Sequence, residues 1–166
     1  MKPTRKPVIA AVMAAALVLA AAGGVGAWLL ARGHGAEHPE ISAYSHGQLT
    51  RVGPYRYCSV LDLTNCQNPQ TQGELRVNSL DPVQLSVPPS IGQAPWWLLR
   101  VYEDSVIPMT TFYRPGNRLA VTIPTVDSHH GRLTGIAVQL MTLVVDRSGE
   151  LQGVPHAEWS VRTVWS

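Results

Sequence analysis

Lysine is absent from residues 40–166 of this 166-residue chain, and the same part holds nine Arg against ten Asp and Glu, a formal charge of −1. A segment without excess positive charge lacks the electrostatic footprint by which proteins attract nucleic acids. The formal charge of the whole chain, +2 at pH 7, therefore comes from its N-terminal part. We predict no nucleic-acid partner.

The motifs of common catalytic and cofactor sites are also missing. The sequence has no phosphate-binding loop, no dinucleotide fingerprint, no zinc-protease helix and no G-x-S-x-G nucleophile elbow. It has only two Cys, and no second pair of Cys or His follows at zinc-finger spacing. We therefore predict no cofactor and no metal site, and we expect a protein without enzymatic activity.

Charge is absent from one long stretch, residues 8–30, which is composed of apolar residues and Gly. A helix of this length measures roughly 35 Å, and a bilayer core is about 30 Å thick. Lys2, Arg5 and Lys6 precede the stretch, whereas Arg32 is the only cation in the linker that follows. The positive-inside rule then places the N-terminus in the cytoplasm and the C-terminal part outside.

This pattern predicts a single-pass protein of the plasma membrane. Its segments are a cytoplasmic tail (1–7), a transmembrane signal-anchor helix (8–30), a linker (31–39) and an extracytoplasmic domain (40–166). The alternative is a cleaved signal peptide, with residues 8–19 as its apolar core and a small-residue cleavage site at residues 20–22. The apolar stretch continues to Leu30, however, which favours the anchor.

The two cysteines, Cys58 and Cys66, are eight positions apart. The outer side of a membrane is usually oxidising, so we predict a disulfide between them. Closing so small a loop stabilises a fold by roughly 2–3 kcal/mol in the chain-entropy model. Two free buried thiols, as in a cytosolic protein, are the alternative.

The rest of the chain consists of short runs rich in β-branched and aromatic residues, separated by Gly, Pro, Asn and Asp, which is typical of an all-β domain. We predict strands at residues 41–46, 49–52, 55–60, 74–77, 83–87, 96–103, 106–113, 118–123, 136–146 and 154–165. So many short strands favour an immunoglobulin-like antiparallel β-sandwich. A small β-barrel is the alternative.

The last two strands show the clearest patterns. In the last one, Ala157, Trp159, Val161, Thr163 and Trp165 share one face, and His156, Glu158, Ser160 and Arg162 share the other. One face of that strand is thus expected in the core and the other in water. Residues 136–145 are apolar on both faces apart from Gln139 and Thr142, which predicts a central strand. The turn residues 147–150 predict a long hairpin between the two strands.

One segment resembles a catalytic triad in composition, Asp127-Ser128-His129-His130. A triad needs its three side chains to converge on one atom, and neighbours in an extended chain point to opposite faces. We therefore expect a solvated loop between two strands.

Two triplets combine aromatic rings with Arg, a composition favoured at protein interfaces. They are Tyr55, Arg56 and Tyr57, and Phe112, Tyr113 and Arg114. We treat these six as candidate binding residues. The alternative is that the rings belong to the core or are ordinary surface residues.

Several short sequences, together with the anchor, carry a family resemblance. They are Ala43-Tyr44-Ser45-His46-Gly47, Val52-Gly53-Pro54-Tyr55-Arg56-Tyr57-Cys58 with Cys66, and Leu85-Ser86-Val87-Pro88 leading to Ala94-Pro95-Trp96. The chain resembles a family of uncharacterised membrane-anchored proteins of actinobacterial envelopes, of the mycobacterial and corynebacterial type, with a domain of unknown function. The resemblance implies an envelope location and no established activity, so it assigns no catalytic residue.

These observations predict an extracytoplasmic binding or accessory module that works with another envelope or membrane protein. A carrier of an apolar ligand such as a lipid, and an envelope hydrolase, are the alternatives. A hydrolase would bring titratable side chains together in a cleft, and a carrier would hold an unfilled apolar cavity. A binding module would instead present an exposed apolar patch.

Overall fold

The computed structural model describes residues 23–26 and 38–166. The chain divides into two compact units, residues 1–37 and 38–166. Residues 23–26 are helical, and the rest of the predicted anchor lies outside the described residues, as do the predicted tail and most of the predicted linker. In the part of the chain that the structure describes, no helix is both long and apolar enough to cross a membrane.

The second unit consists of twelve strands and one short helix. They are β1 (Ile41–Ser45), β2 (Gln48–Val52), β3 (Arg56–Cys58), β4 (Cys66–Gln67), β5 (Gln72–Val77), β6 (Val83–Ser86), α1 (Pro89–Gly92), β7 (Trp96–Tyr102), β8 (Met109–Tyr113), β9 (Ala120–Ile123), β10 (Val126–Asp127), β11 (Gly131–Val145) and β12 (Leu151–Trp165). Each of the ten predicted strands corresponds to one of these. The sequence did not predict α1, β4 and β10, because elements of two to four residues are too short to show a period.

The strands form two main sheets. The smaller has the order β2-β1-β6-β9, and the larger has the order β4-β3-β12-β11-β7-β8, with β5 beside β12 and β10 beside β11. All pairs are antiparallel except β5 with β12. The predicted all-β class with antiparallel sheets is confirmed. The barrel alternative is wrong, because the strands form two sheets with separate edges rather than one closed ring.

A single hydrophobic core takes side chains from both sheets. Its largest fully buried members are Trp96 and Trp159 of the larger sheet, with Ile41 and Leu85 of the smaller one. Alternate residues of each strand enter this core, as in β5, where every second residue is buried. This period of two follows from the pleat of a strand.

The predicted faces of β12 are correct with one exception. Trp159 and Val161 are buried and Arg162 is exposed, as expected. His156 is buried instead of exposed, because Leu140 pairs with Ala157 but the next residue, Met141, pairs with Pro155. The extra residue makes a bulge, which changes the face to which a side chain points.

β11 is a central strand, as predicted, since it lies between β7 and β12. Its pairing with β7 ends at Leu140, so from residue 141 onward only β12 accompanies it. We call residues 141–155 the hairpin arm. At its turn Asp146 Oδ1 accepts hydrogen bonds from the side chain and backbone of Ser148 and the backbone of Glu150, which lower the pKa of Asp146.

One glycine lets strands of the two sheets approach closely. β5 lies against β2, where Thr50 Oγ1 donates a hydrogen bond to the carbonyl oxygen of Glu74 at 2.6 Å. A Cβ atom at Gly73 would overlap Cγ2 of Val52 and lie 2.9 Å from Cγ2 of Thr50. The absence of a side chain at this position therefore allows the contact between the sheets.

Gly73→Ala is accordingly expected to lower the free energy of unfolding by about 1–3 kcal/mol, the usual cost of overpacking. Urea denaturation of the purified domain measures it. Gly53→Ala is the matched control, since nothing lies within 4 Å of a Cβ atom there. Equal stability of the two variants would show that β2 and β5 can separate without cost.

Candidate functional site

An aromatic pair stands on the outer face of the larger sheet. Successive residues of a strand face opposite ways, so Trp96 enters the core and Trp97 points outward. Trp97 lies opposite Phe112 on the neighbouring strand, and the centroids of their rings are 5.7 Å apart. Phe112 is 48% exposed. The pair thus presents two large rings to solvent on one side of the sheet.

This pair forms one wall of an apolar groove of about 340 Å³. The hairpin arm supplies the opposite wall through Met141 and Leu143, and Leu143 is 67% exposed. Gly153 pairs with Leu143 and contributes no side chain, which leaves the space between the walls open. The groove is lined by Pro95, Trp97, Phe112, Met141, Thr142, Leu143 and Gly153. No charged residue lines it.

The exposed apolar surface continues along the hairpin arm beyond the groove. Val145 and Leu151 lie directly opposite each other in the arm, and about two thirds of each is exposed. They share a face with Leu143, because alternate residues of a strand point the same way. Contiguous exposed apolar residues are uncommon on soluble monomers and mark interaction sites.

The structure separates the members of the Phe112 triplet. Phe112 lies in the apolar groove, whereas Tyr113 is on the opposite face and stacks on Trp96 with ring centroids 4.3 Å apart. Arg114 follows the end of β8 and is exposed. Of these three candidates, only Phe112 contributes to the groove.

The Tyr55 triplet lies elsewhere on the larger sheet. Tyr57 packs with its ring 6.3 Å from that of Trp159 at the margin of the core, and Tyr55 is partly exposed. Arg56 donates a hydrogen bond to the carbonyl oxygen of Pro155 at 3.2 Å. Three strands separate β3 from β8, which corresponds to about 19 Å at the usual strand spacing. The two triplets therefore do not form one surface.

The two cysteines are joined in a disulfide, as predicted. Cys58 ends β3 and Cys66 begins β4, and the two residues are opposite each other in this short antiparallel pair. The bond closes residues 59–65 into a loop, which we call the disulfide loop. Cys58 is buried.

The Asp127 segment forms a turn between β10 and β11, as predicted. Asp127 Oδ1 accepts hydrogen bonds from the backbone N–H groups of His129, at 2.9 Å, and His130, at 3.0 Å. The bond from His129 is the largest effect and lowers the pKa of Asp127; burial opposes it, and the weaker effect of the bond from His130 lowers the pKa further. The carboxylate thus supports the turn, and Ser128 and His129 are exposed.

We predict that Ser128→Ala and His129→Ala leave the free energy of unfolding within about 0.5 kcal/mol of the parent, as surface substitutions usually do. They are also expected to leave the cellular role unchanged. Thermal melts and complementation of a deletion strain test the two statements separately. A variant that melts normally but fails to complement would identify the turn as a functional site.

A polar cluster that the sequence did not predict lies at the turn between β1 and β2. His46 Nδ1 is 2.8 Å from Asp81 Oδ2, and Asn78 Nδ2 donates to the same oxygen at 2.8 Å. The bond from Asn78 and then that from His46 lower the pKa of Asp81. These residues come from separate loops, so sequence spacing carried no signal. His46 and Gly47 both have positive φ, as a tight hairpin turn requires, and Asp81 holds this turn in place.

An open pocket of about 490 Å³ lies beside this cluster, lined by Tyr44, His46, Gly47, Asp81, Pro82 and Gln84. His46 and Asp81 bond to each other there, and Gln84 accepts a hydrogen bond from Thr122 at 2.9 Å. A second pocket, of about 430 Å³ on the larger sheet, is lined in part by the charged residues Glu158 and Arg162. The space between the two sheets is occupied by the buried core, including Trp96 and Trp159. The apolar groove differs from both pockets because no charged residue lines it, so we take it as the candidate site for apolar side chains.

The comparisons with known proteins identify the family. The model of the family described as Protein of unknown function (DUF2771) matches residues 34–164. An uncharacterized protein of Mycobacterium bovis is 66% identical over 149 residues, which cover 90% of this chain and 92% of the relative. An uncharacterized protein of Mycobacterium tuberculosis H37Rv matches with the same identity and coverage. No solved structure is significantly similar to the chain. The predicted resemblance to actinobacterial proteins of unknown function is thus confirmed, and the chain belongs to the DUF2771 family.

Proposed function

We propose that this protein is a membrane-anchored, extracytoplasmic binding or accessory module of the bacterial cell envelope. Its apolar groove binds an apolar segment of another envelope or membrane protein. The observation that carries the proposal is the groove itself, in which Trp97 and Phe112 face Leu143 across a space lined without charge. Large rings in such a position are typical anchors of protein interfaces.

The size of the groove limits what it can hold. Its volume of about 340 Å³ is at the small end of the range for ligand sites, roughly 300–1,000 Å³. It can receive two or three large apolar side chains of a partner but not a whole domain.

The anchor rests on the sequence. Residues 8–30 are long enough to span a bilayer, and three cations precede them. This arrangement supports a plasma-membrane protein with a cytoplasmic N-terminus and an extracytoplasmic domain. The disulfide supports the same compartment, because such bonds persist where the environment is oxidising.

We also propose that, within the all-β class, the domain has an immunoglobulin-like β-sandwich fold. Two mainly antiparallel sheets that share one core support this. The disulfide joins neighbouring strands of one sheet and not the two sheets, unlike that of antibody domains.

We further propose that the module acts without catalysis, metal or cofactor. The carboxylates next to its histidines support local turns, since backbone N–H groups bond to Asp127 and the Asn78 side chain bonds to Asp81. A hydrolytic role would need such groups free to reach a substrate.

Site-specific photocrosslinking in living cells tests the groove. A benzophenone amino acid at Leu143 is expected to give a discrete adduct with one envelope protein. Trp97→Ala and Phe112→Ala are each expected to reduce that adduct severalfold, because they remove the opposite wall. Leu80→Ala is the control, since Leu80 is exposed and lies outside the groove.

An adduct that is equally strong in all three variants would show that the groove does not bind the partner. The variants should keep the melting temperature of the parent, because neither ring of the pair belongs to the core. Fusion of reporters active only inside or only outside the cell to Ser166 tests the topology. An active cytoplasmic reporter with a silent exported one would contradict the anchor orientation.

A further inference from the structure

We propose that the domain rests on the lipid surface through one particular end, formed by the disulfide loop and the turn of the hairpin arm. The inference rests on the anchor of the proposed function and adds the orientation of the domain on the bilayer. It commits to lipid as the occupant of this end. It does not concern the apolar groove, which lies between Trp97 and Phe112 on one side and Leu143 on the other.

The chain enters the domain at His38 and Pro39, which contact one part of the larger sheet. The ring of His38 stacks on that of Tyr57 with centroids 4.3 Å apart, and its Nε2 is 2.8 Å from Oε1 of Gln67. Trp159 Nε1 donates a hydrogen bond to the carbonyl oxygen of Pro39 at 2.7 Å. These contacts hold the entry point against β3, β4 and β12.

The predicted linker is short, which limits how far the entry point can lie from the bilayer. Only residues 31–37 separate the apolar stretch from His38, and seven residues extend over at most about 25 Å. A domain tethered so briefly keeps its entry point near the bilayer surface. The tether also keeps the effective concentration of lipid at that end high, so weak contacts suffice.

The disulfide loop and the hairpin arm lie at the same end of the domain as the entry point. β3 is antiparallel to β12, with Tyr57 opposite Ala157, so β3 runs toward the beginning of β12. The disulfide loop follows β3 and therefore points toward the same end as the turn of the hairpin arm. His156 Nδ1 lies 3.4 Å from the carbonyl oxygen of Cys58, which places the two segments side by side.

Several exposed apolar side chains lie at this end of the domain. Leu61 is 98% exposed, and Val60, Val145 and Leu151 are also mostly exposed. The nearby carboxylate of Asp62 accepts hydrogen bonds from the backbone and hydroxyl of Thr64, so its own turn satisfies it. Apolar side chains on a surface held at a bilayer are expected to enter the interface between headgroups and acyl chains.

The opposite end of the domain provides matched controls. Val106 is 99% exposed in the loop between β7 and β8. That loop adjoins the beginning of β11, since the backbone N–H of Glu103 donates to the carbonyl oxygen of Arg132 at 2.9 Å. Leu80 is likewise exposed. Val106 matches Leu61 in exposure and Leu80 is 87% exposed, but both lie at the end of the domain away from the entry point.

Photocrosslinking to lipid tests the proposal on the full chain. The protein is reconstituted into vesicles of phosphatidylethanolamine and phosphatidylglycerol, with a benzophenone amino acid at Leu61, Leu151, Leu80 or Val106 in turn. Mass spectrometry then measures the fraction of each protein that carries a lipid adduct. We expect severalfold more adduct at Leu61 and Leu151 than at Leu80 and Val106. Melting temperatures check that each labelled protein is folded.

Equal adduct at all four positions, or none at Leu61 and Leu151, would overturn the proposal while leaving the anchor intact. Washing the vesicles with alkaline carbonate tests the anchor separately. If the wash removes the full chain, both the anchor and the orientation that depends on it are wrong.

Discussion

Trp159→Ala is expected to lower the free energy of unfolding by about 3–5 kcal/mol, the usual cost of truncating a buried Trp. Trp159 belongs to β12, and its side chain is fully buried in the core. The substitution also leaves the carbonyl oxygen of Pro39 without its donor at 2.7 Å. A typical domain is stable by only about 5–15 kcal/mol, so this variant should lose a large share of its stability.

Urea denaturation measures the effect, and Arg162→Ala on the same strand is its control. Arg162 points outward and pairs with Glu74, and both side chains are more than half exposed. Such surface ion pairs contribute about 0–1 kcal/mol. If Arg162→Ala lowered the free energy of unfolding more than Trp159→Ala does, Arg162 and not Trp159 would face the core. A slip of one residue in the strand register would have that effect.

Removal of the disulfide is expected to have the second largest effect. The double variant Cys58→Ala with Cys66→Ala should have a free energy of unfolding about 2.5 kcal/mol lower than that of the parent. The reason is that the disulfide reduces the conformational entropy of the unfolded chain. Non-reducing mass spectrometry of the parent should first show a linked peptide pair two hydrogens lighter than the free peptides. Quantitative alkylation of both thiols in envelope material would contradict the bond itself.

A reducing agent gives the matched comparison for this prediction. The reduced parent should resemble the double variant, and the double variant should not respond to the reagent. If reduction has no effect on the parent, the hydrogen bonds between β3 and β4 hold the disulfide loop without the bond. In that case the position of His38 would depend on its contacts with Tyr57 and Gln67 and not on the disulfide.

Local patterns in the sequence determined much of the fold. Alternation of apolar and polar residues predicted the ten principal strands, because each strand buries one face in the core and exposes the other to solvent. Apolar residues on both faces predicted that β11 is central, and turn residues predicted its hairpin with β12. The spacing of Cys58 and Cys66, with the predicted extracytoplasmic location, predicted their disulfide, which the structure contains.

Only the tertiary structure decided which aromatic residues face solvent. Tyr57 and Phe112 are similar in their sequence surroundings, yet one packs beside Trp159 and the other faces outward beside Trp97. The side to which each ring points depends on where its strand lies in the sheet. That position is set by pairing with strands distant in sequence.

The sequence likewise did not predict the bulge at His156, the parallel pairing of β5 or the apolar groove. The groove has Pro95, Trp97 and Phe112 on one side and Met141, Thr142, Leu143 and Gly153 on the other. Long-range pairing brings them together, so no short pattern could contain the site. The sequence by itself determined the strands and their faces, because these depend on neighbours along the chain. The site depends on neighbours across the sheet, which only the folded arrangement of β7, β8, β11 and β12 supplies.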